Sequence, residues 1–123
     1  MKKFYKPKII FNDSRGKFLD LHNSNSKNVS IITSRKNSIR SNHYHLKDSH
    51  YIYILKGKME YYYSNIKNIK IKKKIVKEGE IVFTPALEIH ATKFLENSIL
   101  VVISMHKRSK KFYSKDTIKY NLI

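Results

Sequence analysis

Asn42-His43-Tyr44-His45-Leu46-Lys47-Asp48-Ser49-His50-Tyr51-Ile52-Tyr53-Ile54-Leu55-Lys56-Gly57 gathers three histidines and runs straight into an alternating apolar strand. His43 and His45 are two residues apart, and strand side chains alternate between faces, so both project from one face. If His50 points inward, the same period carries Ile52 and Ile54 into the core with it. A fourth histidine, His90, closes Thr84-Pro85-Ala86-Leu87-Glu88-Ile89-His90. The chain has only three Gly and two Pro, and Gly57, Gly79 and Pro85 punctuate these two segments. Rare residues placed there mark defined turns flanking a built site.

Outward from this stretch the dominant period stays at two. Met59-Glu60-Tyr61-Tyr62-Tyr63, Ile69-Lys70-Ile71-Lys72 and Ile99-Leu100-Val101-Val102-Ile103 are short β-branched or aromatic runs bounded by Asn, Ser, Gly or Lys. Ile9–Phe11 and Lys17–Leu21 read as two early strands joined by a turn over Asn12–Gly16. From Ile66 to Lys77 the alternation predicts Ile69, Ile71 and Ile75 buried against a solvated lysine row, a pattern that discourages edge pairing. Lys107–Ile123 reads as a polar connection with a last strand around Thr117–Tyr120. No apolar stripe of helical spacing persists for three turns, so the chain reads as all-β, a sandwich or small barrel.

The 123 residues suit one domain spanning 1–123, with no linker or composition break. The absence of Cys excludes disulfides, thiolate zinc sites and a cysteine nucleophile. No apolar run approaches the ~20 residues of a membrane span, and no apolar segment follows the basic N-terminus, which predicts a cytoplasmic protein without a membrane partner. The net charge of +17 suggests polyanions, yet Lys supplies 22 of the 26 basic residues and is spread along the whole chain. Arg is the residue favoured for bidentate base and phosphate contacts, so specific nucleic-acid binding is not expected. The abundance of Lys, Ile, Asn and Tyr, all with A/T-rich codons, fits genome bias instead.

The two histidine segments resemble the two motifs of the cupin family. The first, about residues 40–57, reads His43-x-His45-x4-His50-x6-Gly57, and the second, about 79–94, reads Gly79-x5-Pro85-x-Leu87-x2-His90-x3-Phe94. Leu87 and Phe94 stand where the family has Gly and Asn. The resemblance implies an all-β cupin double-stranded β-helix, or jelly-roll barrel. It also implies that His43, His45 and His90 match the family's imidazole metal ligands, with His50 in the place of its usual carboxylate. An all-imidazole set of this kind suits one divalent transition metal such as Fe, Mn, Ni, Cu or Zn, more than Mg or Ca. His22 and His106 fall outside the constellation and read as surface residues.

A narrower resemblance bears on activity. Arg40-x-x-His43-x-His45 is similar to the Arg-Gly-x-His-x-His segment of small cupins of surface-polysaccharide pathways that isomerise or epimerise nucleotide-linked 4-keto-6-deoxy sugars. In those ketoisomerases the paired histidines work without metal, shuttling a proton beside a sugar carbonyl. The resemblance implies Arg40 as the diphosphate clamp and His43 or His45 as the base, with Tyr61 or Tyr63 as acid or sugar-stacking group. It also implies a homodimer, with Ile9–Leu21 pairing with a second copy. Two alternatives remain: a four-histidine metal cupin acting as oxygenase or isomerase on a small carbonyl compound, and a non-catalytic ligand-binding cupin. No buried Asp that would polarise a catalytic histidine is evident, because Asp48 reads as a loop residue.

Overall fold

A computed structural model describes residues 2–123. The alternation after His50 is realised in full: on β6 (His50–Lys56), His50, Ile52 and Ile54 are buried while Tyr51 and Tyr53 lie on the other face. The β-branched residues suit a pleated, half-buried surface, which is why this stretch forms a central strand. Around it one sheet is ordered β1 (Phe4–Tyr5), β9 (Ile81–Thr84), β6, β11 (Ser98–Ser104), β4 (Asn28–Ser34). The second is ordered β12 (Thr117–Lys119), β5 (Ile39–His45), β10 (Glu88–Phe94), β7 (Lys58–Asn65), β8 (Asn68–Lys77). All their pairings are antiparallel.

The core joins the two sheets. Ile52, Ile54, Val82, Leu100 and Val102 of the first meet Met59, Tyr61, Val76 and Phe94 of the second. Gly57 makes the turn from β6 into β7 with φ of +101°, and a Cβ there would lie 2.8 Å from the Asn97 backbone oxygen and overlap Ser98. Only a residue without a side chain fits.

Two early strands form as expected, β2 (Lys8–Asp13) and β3 (Gly16–Asp20), but as a separate hairpin outside both sheets. The lysine-rich strand differs from its expected phase. On β8, Ile69, Ile71 and Ile75 are exposed, and Val76 is the strand's buried residue. Lys72 and Lys74 instead reach over the rings of Tyr63 and Phe4. An edge strand has no neighbour on one side, so long lysine stems can cover aromatic surface while their ammonium groups stay in water. The tail also differs: between β11 and β12 it forms a short helix, α1 (Lys110–Asp116), where a polar connection is expected. Among the described residues no helix is long and apolar enough to cross a membrane.

Candidate active site

The histidine cluster is built by a kink in β5. Ser41 and Asn42 both take positive φ, 70° and 55°, and the register with β10 shifts between His90 and Ala91. The shift sets His43 opposite His90 across the pair. Asn42 is fixed by the C-terminal tail, its Oδ1 accepting from the Leu122 and Ile123 amides at 2.9 and 3.1 Å. On the other side of the barrel, the first residue of β6 supplies His50. Leu87, in the place of the motif's Gly, keeps the left-handed backbone at φ 70° although a side chain strains it by about 1–2 kcal/mol.

All four motif histidines converge. Ring centroids lie 4.6 Å apart for His43 and His45, 4.7 Å for His43 and His90, 5.6 Å for His45 and His50, and 5.3 Å for His50 and His90. His45, His50 and His90 are buried, while His43 is half-buried. Burial is the first cause that disfavours their charged forms; neighbouring imidazoles add to it for His43, His45 and His90, and Arg108 for His43, His45 and His50. His43 is lowered to about 3 and His45 to about 4, and His50 and His90 are also lowered. At neutral pH the cluster is a set of uncharged imidazoles.

A cavity of about 110 Å³ opens between the sheets onto this cluster. His43, His50 and His90 line it with Arg40, Thr92, Arg108 and Tyr113, above an apolar floor of Ile32, Ile52, Leu100 and Val102. His45 is not on the wall; it sits behind, with its Nε2 buried and unpartnered. Arg40 stands where the cavity meets a groove of about 640 Å³ that Arg35, Lys56, Asn97 and several hydroxyls also line. Its guanidinium is held by Ser34 Oγ at 2.6 Å and the Thr33 carbonyl at 2.9 Å.

The two tyrosines singled out from the sequence lie elsewhere. Tyr61 is fully buried, with its hydroxyl shared between Thr84 Oγ1 and Glu88 Oε2, and Glu88 is in turn paired with Lys3. Tyr63 packs on Phe4 and faces a different groove. Neither lines the histidine cavity; Tyr113 of α1 is the tyrosine that does. A buried Asp is present after all. Asp48 accepts from Arg108 Nε and Nη2 at 3.1 and 2.9 Å and from the His106 amide at 3.1 Å. Asp116 is buried too, accepting from the Lys47 and Asp48 amides at 2.7 and 3.0 Å.

Arg108, Tyr113 and Asp116 were not legible as site residues, because they come from the polar tail. One signal was available. The chain has four Arg and four Asp, and one of each falls in that tail, which is otherwise lysine-rich.

A two-sheet antiparallel barrel with motif histidines converging on an interior cavity is a cupin architecture. The sequence profile of the Cupin family matches residues 18–118, and the chain belongs to that family. No curated protein matches it in sequence. Among solved structures, a dTDP-4-dehydrorhamnose 3,5-epimerase from Sulfolobus tokodaii superposes with a TM-score of 0.78 at 24% identity, over 98% of this chain and 78% of that one. The TDP-fucose-3,4-ketoisomerase WlaRA from Campylobacter jejuni gives 0.78 at 19% identity, over 94% and 86% of the chains. QdtA, a sugar 3,4-ketoisomerase from Thermoanaerobacterium thermosaccharolyticum in complex with TDP, gives 0.76 at 19%, over 94% and 85%. At these identities the likeness is one of fold.

Proposed function

We propose that the protein is an isomerase or epimerase of a nucleotide-linked 4-keto-6-deoxy sugar in surface-polysaccharide biosynthesis, acting in the cytoplasm as a homodimer. The observation that carries this reading is His43: an imidazole held neutral by burial, on the wall of a cavity whose lining cations are Arg40 and Arg108. A proton on the carbon next to a ketone is acidic enough for a positioned imidazole. Returning that proton to the former carbonyl carbon, while the neighbouring hydroxyl's proton passes to the former carbonyl oxygen, moves the ketone; a proton delivered to the original carbon by a donor on the opposite face inverts the centre. His43 is the base because it reaches the cavity and His45 does not.

The reacting part of the sugar falls to the small cavity, the diphosphate to Arg40 at its mouth, and the nucleoside to the adjoining cationic groove. The epimerase and ketoisomerases of like fold, one of them with TDP bound, support the substrate class. The dimer is supported by the β2–β3 hairpin, where Ile9, Phe11 and Phe18 are at least half exposed, and by Val29 and Ile31 on the outer face of the edge strand β4.

The test is incubation with nucleoside-diphosphate 4-keto-6-deoxyhexoses in D₂O. Deuterium is expected to enter the carbon beside the carbonyl, and His43→Asn should slow this by about 10²–10⁴-fold, the range of general-base catalysis. Arg40→Ala should weaken thermal protection by a nucleoside diphosphate about tenfold or more in concentration, as loss of a charge-assisted contact of ~1.5–3 kcal/mol would. Unchanged exchange in His43→Asn, or no protection by any nucleoside diphosphate, would overturn the reading.

A second reading has its own observation. The donor nitrogens of His43, His45 and His90 lie within 4.8 Å of one another, and His45 Nε2 has no hydrogen-bond partner. Three neutral imidazoles fit a divalent Zn, Cu, Fe, Ni or Mn ion, which would supply Lewis acidity to a carbonyl or a place for oxygen chemistry. Elemental analysis of protein loaded with each metal and washed should then find about one equivalent per chain, absent in His90→Ala. No retained metal would exclude this reading and leave the histidines free for proton transfer.

A further inference from the structure

We propose that His50 is the hydrogen-bond donor of the cavity, presenting Nε2–H to a developing oxyanion, and that Arg108 is the positioning residue that fixes it in that tautomer. The inference rests on the isomerase reading for its substrate but on the hydrogen-bond network for the tautomer. Arginine carries donors and no acceptor. Arg108 Nη2 lies 3.1 Å from His50 Nδ1, so Nδ1 must accept, and the proton of the neutral ring sits on Nε2. Asp48 Oδ2 is 3.6 Å from the same Nδ1, beyond hydrogen-bond length, and its role is to hold the guanidinium.

The other histidines with partners are set the opposite way. His90 Nδ1 faces the Glu88 carbonyl at 3.0 Å, which only accepts, so His90 keeps its proton on Nδ1 and its Nε2 is bare. His45 Nδ1 is 3.2 Å from Thr117 Oγ1, whose own proton goes to the Tyr113 carbonyl at 2.6 Å, so His45 likewise donates from Nδ1. Among these three, His50 alone offers a proton to the cluster, and it reaches the cavity wall.

Position completes the case. His43 is on β5 of one sheet and His50 on β6 of the other, so they line the cavity from opposite sheets. As His43 takes the proton, the C–H bonding pair forms the C=C bond and the carbonyl π pair becomes a lone pair on oxygen. His50 Nε2–H hydrogen-bonds that oxygen; His43 then returns the proton to the former carbonyl carbon, the neighbouring hydroxyl's proton passes to the oxygen held by His50, and the new C=O forms at the carbon that lost its hydrogen. No oxidant or reductant enters. The same tautomer leaves no lone pair on Nε2, so a metal in the cluster would be held by His43, His45 and His90 without His50.

Long-range ¹H–¹⁵N correlation spectra of the ¹⁵N-labelled wild-type protein at neutral pH decide the tautomer directly. His50 is expected protonated at Nε2, with Arg108→Met shifting it toward Nδ1–H and Arg108→Gln, which keeps a donor, shifting it less. A wild-type His50 carrying its proton on Nδ1 overturns the proposal, whatever the substrate proves to be. In the exchange assay His50→Leu should lower kcat by about 10²–10³-fold, as loss of an oxyanion donor does, with little change in KM. His50→Gln, whose amide N–H replaces Nε2–H, should recover much of it. Equal exchange in His50→Leu and wild type also overturns the proposal. If no keto sugar exchanges in the wild type, it is the isomerase reading that falls, while the spectra still decide the tautomer.

Discussion

Metal-free protein is expected to lose stability steeply as the pH drops below about 6.5. The four clustered histidines all titrate below their ordinary value, His43 near 3 and His45 near 4, because burial first and neighbouring positive charge second disfavour the imidazolium. In the unfolded chain the same rings take up protons at about 6.5. Between those values the unfolded state binds more protons than the folded one, so stability rises with pH across that window and is complete above it. Each such histidine contributes up to about 1.4 kcal/mol per pH unit, so four acting together can remove a typical domain's 5–15 kcal/mol within a few pH units. Thermal melts followed by circular dichroism from pH 7.5 to 4.5 measure this directly. His43→Asn removes one titrating group and should flatten the fall. A stability that stays level from pH 7 to 5 would show that the imidazoles are not held neutral.

What was legible in the sequence is what a period of two can carry. His50, Ile52 and Ile54 share a face because strand geometry leaves no other choice, and the spacing of Gly57, Gly79 and Pro85 fixes the turns on either side. The convergence of His43, His45, His50 and His90 followed from those frames. Phase on an edge strand is weaker information. With no neighbour beyond β8, nothing obliges the isoleucines to face inward, and aromatic rings of Phe4 and Tyr63 accept lysine stems as cover.

Polar contacts across the fold were not legible at all. Asp48 sits in a loop and α1 has no apolar stripe, its one buried residue being Asp116. Neither residue can be assigned a partner until β12 is seen to pair with β5 and bring the tail beside the histidines. The tyrosines failed for a related reason. Met59, Tyr61 and Tyr63 alternate as core residues do, and Tyr61 proves to be a core residue whose hydroxyl is satisfied locally. Alternation reports burial, not which buried side chains meet a cavity.

Asp48→Ala is expected to destabilise the protein by about 3–5 kcal/mol, the cost of removing one member of a buried ion pair. The Asp48 side chain is 3% exposed and that of Arg108 13%, so loss of the carboxylate leaves the guanidinium largely out of water with no counter-charge. The His106 amide loses its acceptor as well. Asp48 also anchors the connection into α1, so the change should loosen Tyr113 and uncouple Arg108 from His50. A double-mutant cycle separates the interaction from simple truncation. Arg108→Met together with the same Asp48→Ala removes both charges, so no guanidinium stays buried without a counter-charge and the double variant should recover much of the loss. Urea denaturation of the four proteins reads all the terms. An Asp48→Ala variant within about 1 kcal/mol of wild type would mean that the pair is solvated like a surface salt bridge, and that Asp48 does not brace the histidine site.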